Sequence, residues 1–184
     1  MEHSPQSLVT ASKFLSLVLR HKPQTIGLTL DPAGWADVNE LLLKAAQHKR
    51  PLPLELLQTV VETSDKKRFA FSSDGSKIRA NQGHSIDVEL GLPAANPPAV
   101  LYHGTAQRFL DSILAQGLTK QQRHHVHLTE DQATAVAVGS RYGHPVLLAI
   151  DARCMAEDGR VFFLAANGVW LTEQVPSSYV SVLG

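Results

Sequence analysis

The chain has 184 residues, with 17 Lys and Arg against 17 Asp and Glu, so its net charge is zero when the histidines are neutral. No whole-molecule field therefore draws it to a polyanion, and any anion site must be made locally by a few placed cations. The single cysteine, Cys154, excludes an internal disulfide framework and a multi-cysteine zinc site. No apolar run is long enough to span a bilayer, and residues 1–6 lack the pattern of a secretory signal. We expect a cytoplasmic monomer that does not bind membranes.

The first half of the sequence predicts three helices followed by a β-hairpin. The predicted helices cover residues 8–20, 38–48 and 54–62, and the predicted strands cover residues 68–71 and 77–80. Asp37 can cap the second helix, with Glu40 three residues later as in a capping box. Asp74-Gly75 supplies the hairpin turn. Three helices and a two-stranded ribbon are typical of a winged-helix unit, which is often used on nucleic acid.

The second half differs in character and follows a proline-rich stretch, residues 86–99, which predicts a domain boundary near residues 88–98. Its predicted strands cover residues 100–103, 126–128, 146–150, 161–164, 169–171 and 179–182. Its two predicted helices cover residues 106–116, with Gly117 as the C-terminal cap, and residues 130–138, with Thr129 as the N-cap. The whole chain is thus predicted to be α+β, with domains at residues 1–88 and 99–184.

Two cations, Arg20 and His21, stand side by side where the first helix is predicted to end, and Lys22-Pro23 stops the helix. Such a pair suits an anionic ligand, most naturally a phosphate. Basic residues are also common in the last turn of a helix, where they offset its dipole, and this stretch alone favours that reading.

His103-Gly104-Thr105 follows a predicted strand, and His127-Leu128-Thr129 lies at a second strand about twenty residues later. Gly104 permits close approach of a ligand to the backbone. Two such strand ends could line a slot for a flat, nucleotide-like ligand, although each piece alone favours a buried histidine and an ordinary turn. Neither GxxxxGK[ST] nor GxGxxG after a strand is present.

His124, His125 and His127 resemble a metal cluster, but no carboxylate or cysteine accompanies them at ligand spacing. His125 and His127 on one strand would share a face, which leaves zinc as the weaker alternative, and we expect no metal.

A series of short motifs runs in order along residues 10–180. They are Ser12–Ser16 with Leu19-Arg20-His21, Asp31–Trp35, Ser64–Phe69, Gln82–Ser85, Tyr102–Thr105, His125–Thr129 and Asn167–Thr172. In this order and spacing the chain resembles the NAD-dependent RNA 2′-phosphotransferase family.

The resemblance implies an N-terminal winged-helix lobe that binds RNA and a C-terminal ADP-ribosyltransferase-like lobe that binds NAD as co-substrate. The implied substrate is a tRNA-like RNA that carries an internal 2′-phosphate left by splicing. This phosphate would attack the nicotinamide ribose and release nicotinamide, giving an ADP-ribosylated RNA. The ribose 2″-hydroxyl would then attack phosphorus, leaving a 2′-hydroxyl RNA and ADP-ribose 1″,2″-cyclic phosphate.

The resemblance also implies site residues. The catalytic tetrad of the family falls on Arg20, His21, Arg68 and Arg141, and its NAD-binding motifs fall on His103-Gly104-Thr105 and His127-Leu128-Thr129. Arginine suits phosphate because its fork grips two oxygens and stays protonated, and fixed cations stabilise a charged phosphorane-like state. We hypothesise that His21 protonates the departing RNA 2′-oxygen.

Many ADP-ribosyltransferases use a glutamate on a late strand. The corresponding stretch, Asn167–Thr172, contains none, and Glu173 lies just outside it, which argues against a protein-modifying transferase. Two other readings stay open: an NAD-dependent enzyme that ADP-ribosylates terminal phosphates on RNA or DNA, and a non-catalytic winged-helix binder with a degenerate NAD lobe.

Overall fold

The computed structural model describes residues 4–64, 66–121 and 123–183. Its chain divides into two compact units, Met1–Gly91 and Leu92–Gly184, and the division falls inside the proline-rich stretch. Both units combine helices with antiparallel sheets, so the α+β class is confirmed at the level of secondary structure.

Within its described residues, the first unit contains three α-helices and one three-stranded antiparallel sheet of order β1-β3-β2. Its elements are α1 (Pro5–Arg20), β1 (Ala36–Asp37), α2 (Val38–Gln47), α3 (Leu54–Glu62), β2 (Phe69–Phe71) and β3 (Lys77–Ala80). The sequence pattern predicted the bounds of α3 and β3 correctly. It missed β1, because two residues are too few to show a period.

The start of α2 follows half of its predicted capping pattern. Asp37 Oδ1 accepts the Glu40 N–H at 2.9 Å, so Asp37 is the N-cap. The predicted reciprocal bond of a capping box is not formed. Glu40 Oε1 instead accepts the Thr29 N–H at 3.3 Å. The carboxylate of Glu40 therefore fastens the loop that follows α1.

The core of the first unit fixes the end of α1. Leu15, Val18 and Leu19 are fully buried, and they pack in one cluster with residues of α2, α3 and β3. Burial of each such side chain stabilises the unit by roughly 1.5–3 kcal/mol. Because Leu19 is held in the core, the backbone of the next residue, Arg20, has a fixed position.

In the part of the second unit that the structure describes, there are three short α-helices and eight strands. Its elements are β4 (Val100–Ala106), α4 (Leu110–Gln116), β5 (Leu118–Thr119), β6 (Val126–Leu128), α5 (Gln132–Gly139), β7 (Pro145–Asp151), α6 (Ala152–Glu157), β8 (Phe162–Leu164), β9 (Trp170–Thr172), β10 (Gln174–Val175) and β11 (Val180–Leu183). Two three-stranded antiparallel sheets have the orders β11-β7-β4 and β6-β9-β8, and β10 pairs with β5.

Three predictions for this unit are wrong in detail. A third helix, α6, was not predicted, because its six residues are too few to show periodicity. Asp131 rather than Thr129 caps α5, because Asp131 Oδ2 accepts the Thr134 N–H at 2.8 Å. β4 extends to Ala106 rather than to His103, because Gly104, Thr105 and Ala106 pair with the start of β7.

The two sheets of this unit are linked through one backbone pair. The Tyr102 N–H donates to Thr129 O at 2.7 Å, and the Thr129 N–H donates to Tyr102 O at 3.0 Å. Leu101, Leu148 and Phe162 are fully buried in the core between these elements. No helix among the described residues is long and apolar enough to cross a membrane.

Candidate active site

The end of α1 holds Arg20 against the start of β2. The half-buried guanidinium of Arg20 lies with its Cζ 5.5 Å from the centroid of the Phe69 ring. Its Nη2 donates to the backbone carbonyl of Arg68 at 3.3 Å. An aromatic face and a carbonyl oxygen both favour a cation, so the charge of Arg20 is held beside Arg68.

His21 is exposed, and its ring is oriented by a segment that follows the hairpin. Its Nδ1 lies 2.9 Å from Ser85 Oγ. The Ser85 N–H also donates to the backbone carbonyl of Arg20 at 2.9 Å. The structure thus brings Arg20, His21 and the backbone of Arg68 together within the first unit.

The backbone before Arg68 has an unusual conformation that Asn81 supports. Lys67 has φ of +38°, in the region that residues with a Cβ rarely adopt. The buried Asn81 side chain donates from Nδ2 to Lys67 O, and the Asn81 N–H donates to Arg68 O at 2.9 Å. The turn that leads into Arg68 is therefore held by Asn81. Asp65, part of the same motif, lies outside the described residues.

The Asp31–Trp35 motif forms a turn that packs against His84. Asp31 Oδ1 accepts the Ala33 and Trp35 N–H groups at 3.0 and 2.9 Å. Gly34 has φ of +79°, and a Cβ there would lie 3.4 Å from Nε2 of the buried His84. The Asp31–Trp35 motif therefore has a structural role, because it supports the Gln82–Ser85 segment.

In the second unit, His103 is held by the strand that carries His127. Its Nδ1 lies 3.0 Å from the His127 carbonyl oxygen, which can only accept, so Nδ1 carries the proton. Burial lowers the pKa of His103, the carbonyl bond opposes this effect, and the charge of Arg123 adds to it. His103 is thus neutral near pH 7, and its Nε2 is a hydrogen-bond acceptor.

The second predicted strand end combines side chains with different roles. Arg123 Nη1 donates to His127 Nδ1 at 3.0 Å. The Leu128 side chain is buried in the core. Thr129 supplies the backbone pair with Tyr102, and its Oγ1 accepts the Asp131 N–H at 3.1 Å. His103, His127 and Thr129 therefore lie at the junction of the two sheets.

Gly104 and Thr105 lie under α5. A Cβ at Gly104 would lie 1.6 Å from the backbone oxygen of Ala135, and one at Gly139 would lie 2.5 Å from the backbone oxygen of Thr105. The missing side chains let α5 rest directly on β4. The sequence suggested that Gly104 admits a ligand; its Cβ position is instead filled by helix backbone.

The histidines near β6 have separate surroundings. His125 makes an edge-to-face contact with Phe163, with ring centroids 5.5 Å apart. Burial, followed by the charges of His124 and Lys120, lowers the pKa of His125. Across residues 4–64, 66–121 and 123–183, no group of three or more His, Cys, Asp or Glu is placed to hold a metal.

The fourth predicted catalytic residue, Arg141, lies in the second unit. It is exposed on the 3-10 turn Ser140–Tyr142 that follows α5. Glu173 is also exposed and pairs with Lys120 at 3.5 Å. No sequence pattern predicts a role for Asn81, and Ser85 is marked only by its place in the Gln82–Ser85 motif.

The sequence is similar to known transferases. The sequence matches the family described as RNA 2′-phosphotransferase, Tpt1 / KptA family, over residues 6–174. Proteins named "Probable RNA 2′-phosphotransferase" from Pseudomonas aeruginosa PAO1 and Rhodopirellula baltica are 58% and 54% identical to it. These alignments cover 95% and 96% of this chain and 97% and 96% of those proteins. A third such protein, from Agrobacterium fabrum, is 57% identical over 93% of this chain and 92% of its own. The chain belongs to the RNA 2′-phosphotransferase, Tpt1 / KptA family.

Proposed function

We propose that this protein removes an internal 2′-phosphate from RNA by transferring it to NAD. Family membership supports the reaction class, and the observation that carries the site is the grouping of Arg20, His21 and the Arg68 backbone at the end of α1. The proposed substrate is a tRNA-like RNA, and the proposed products are 2′-hydroxyl RNA, nicotinamide and ADP-ribose 1″,2″-cyclic phosphate.

The first unit is proposed to be a winged-helix lobe that binds the RNA. Its three helices and three-stranded antiparallel sheet support this reading, because a winged helix combines these elements. The second unit is proposed to be an ADP-ribosyltransferase-like lobe. Its two antiparallel three-stranded sheets, linked between Tyr102 and Thr129, support that assignment.

In the first step an oxygen of the RNA 2′-phosphate attacks the ribose carbon that bears nicotinamide, and the bond to nicotinamide breaks. The phosphate is already an anion, so no general base is needed. Arg20 and Arg68 are proposed to hold its oxygens, and Arg141 is proposed as a further catalytic residue. Positioning of an anion against an electrophilic carbon is the main task in this step.

In the second step the 2″-hydroxyl of the ribose attacks phosphorus, its proton passes to water, and the bond from phosphorus to the RNA 2′-oxygen breaks. His21 is proposed to give a proton to that oxygen. The arginines stabilise the additional charge at phosphorus, which exists only near the transition state. Arginines and one histidine thus supply the charge and the proton that the step needs.

The junction of the two sheets in the second unit is the proposed NAD site. His103 fits a nucleotide ribose, because its Nδ1 is used by the His127 carbonyl and its neutral Nε2 can accept a hydroxyl proton. His127 and Thr129 supply further polar groups. Gly104, Thr105 and Leu128 would contribute backbone groups, since Gly104 has no side chain and those of Thr105 and Leu128 are buried.

The direct test uses an RNA with one internal 2′-phosphate, incubated with the protein and NAD. Loss of the phosphate with release of ADP-ribose cyclic phosphate supports the proposal. A stable ADP-ribosylated product on a terminal phosphate would indicate the alternative transferase. An absence of NAD consumption would reject both enzymatic readings.

Arg68→Ala tests the phosphate site. We expect the overall rate to fall by at least about 100-fold, since transition-state charge stabilisation by one fixed donor is worth that much. Arg153→Ala, which removes another exposed arginine, is the matched control and should keep the wild-type rate. Wild-type turnover by Arg68→Ala would show that the phosphate site is assigned wrongly.

A further inference from the structure

We infer that Ser85 is a positioning residue that fixes the imidazole of His21 for its reaction. This inference rests on the proposed role of His21. Ser85 lies 64 residues from His21 in sequence, yet its Oγ is 2.9 Å from His21 Nδ1. Ser85 is not proposed to react with the substrate itself, since a serine without a base is a weak nucleophile.

Two hydrogen bonds fix Ser85 relative to the end of α1. Its N–H donates to Arg20 O at 2.9 Å, which sets the distance between the two backbones. Its hydroxyl contacts the ring of His21, the residue that follows Arg20. Because one bond is made by backbone and the other by side chain, Ser85→Ala removes only the contact with the ring.

The segment that carries Ser85 is anchored from both sides. Asn81 fastens its beginning to Lys67 and Arg68. His84 is 2% exposed and packs beside Gly34, so the residue before Ser85 belongs to the interior. An anchored segment places the Ser85 hydroxyl in a defined position, which a mobile loop would not do.

The contact has a chemical consequence for a proton donor. A histidine that gives a proton from one ring nitrogen must direct that nitrogen at the acceptor, and a bond at the other nitrogen restricts rotation of the ring. The Ser85 hydroxyl can accept from Nδ1–H of the charged ring, which leaves Nε2–H as the donating group. After transfer, the ring stays held at Nδ1. A misplacement of about 1 Å can cost about 100-fold in rate.

The exposure of Ser85 separates this role from a folding role. Its side chain is exposed and outside the hydrophobic core, so Ser85→Ala should leave thermal unfolding nearly unchanged. We expect kcat to fall about tenfold in Ser85→Ala, with the KM for NAD and for RNA within about twofold of wild type. Ser85→Thr keeps the hydroxyl and should restore at least about half of kcat.

The experiment combines kinetics and NMR on the full-length protein. Wild type, Ser85→Ala, Ser85→Thr, His21→Ala and the double variant Ser85→Ala/His21→Ala are assayed with NAD and 2′-phosphorylated RNA. Ser112→Ala, which removes an exposed serine on α4, is the matched control. The ring nitrogens of His21 are followed by ¹⁵N NMR and assigned from the His21→Ala spectrum.

Two results are expected if Ser85 acts through His21. The double variant should be no slower than His21→Ala, because a residue that only positions the ring has no effect once the ring is gone. The His21 Nδ1 signal should shift in Ser85→Ala and stay near its wild-type value in Ser85→Thr and in Ser112→Ala.

Other results overturn the inference. An unchanged Nδ1 signal in Ser85→Ala, wild-type kcat in that variant, or an additive loss in the double variant would each show that Ser85 does not act through His21. Failure of the proposed function is distinguishable, since it would appear as no loss of the 2′-phosphate with the wild-type protein. Wild-type turnover by His21→Ala would reject the role of His21, whatever Ser85→Ala does.

Discussion

Gly104→Ala distinguishes two roles for the glycine in the His103-Gly104-Thr105 motif. A Cβ at this position would lie 1.6 Å from Ala135 O and 2.4 Å from Ala135 C. Ordinary contact begins near 3.4 Å, so α5 would have to move by about 1.8 Å. Both atoms belong to backbone, and no side-chain rotation can relieve the clash.

The magnitude follows from the cost of displacing a packed helix. Insertion of one methyl group into a tight core costs about 1–3 kcal/mol, and a clash with backbone belongs at the upper end. We expect the free energy of unfolding of the second unit to fall by about 3 kcal/mol. With a urea slope of about 1–3 kcal/mol per molar, the midpoint should fall by roughly 1–3 M.

The measurement is urea unfolding followed by tryptophan fluorescence. The chain has two tryptophans, Trp35 in the first unit and Trp170 in the second, so a Trp35→Phe background reports on the second unit alone. Gly168→Ala is the control for loss of a glycine without a clash: unlike Gly104, its φ is positive, at +79°, but nothing lies within 4 Å of the added Cβ. It should cost only about 1–2 kcal/mol of backbone strain.

One outcome would refute this reasoning. If Gly104→Ala unfolds at the same urea concentration as the Trp35→Phe background and instead raises only the KM for NAD, the glycine serves close approach of a ligand. The packing of α5 against β4 would then not be what requires it.

Three further predictions concern Asn81, His103 and Glu173. Asn81→Ala should lower kcat about tenfold and cost about 1–3 kcal/mol of stability, because it leaves Lys67 O unpaired and releases the turn before Arg68. Asn39→Ala, on the exposed face of α2, is its control. Equal kinetics for both variants would contradict the role of Asn81. Because burial holds the pKa of His103 below its usual value of 6.5, the KM for NAD should stay constant from pH 8 to that value and rise only as the pH falls further; a rise that begins near pH 7 would argue against a neutral His103. Glu173→Gln should leave kcat within about twofold of wild type and stability within about 0.5 kcal/mol, since Glu173 is exposed and its pair with Lys120 is a surface pair. A large loss of turnover would assign Glu173 a catalytic role.

The stability that His103 contributes has a defined direction with pH. A histidine whose folded pKa is lowered binds its proton more readily in the unfolded state. Its contribution is therefore fully present above the usual value of 6.5 and is lost as the pH falls through the folded pKa. Stability measured by urea unfolding should decline on acidification below that value, and His103→Asn should reduce the decline.

Local patterns in the sequence predicted most of the first unit. The apolar spacing of residues 8–20 predicted α1, and Asp37 was correctly identified as an N-cap because its side chain acts on a residue three positions away. Such interactions are local, so the chain itself brings the partners together. The same holds for the hairpin between β2 and β3.

The sequence alone also determined the family and the identity of the candidate catalytic residues. Motifs keep their order and residue types whether or not the chain is folded, so Arg20, His21, Arg68 and Arg141 could be chosen from the sequence. Short elements could not: β1 and α6 contain too few residues to show a period.

Only the tertiary structure decided which groups act on one another. Ser85 reaches His21 across 64 residues, and Asn81 reaches Lys67 across 14, because the core around Leu19 and the sheet fix both ends of the intervening chain. Gly104 could be read from sequence as a ligand-facing residue, yet the space beside it is filled by the α5 backbone. The occupant of that space depends on packing between segments distant in sequence, which no local pattern encodes.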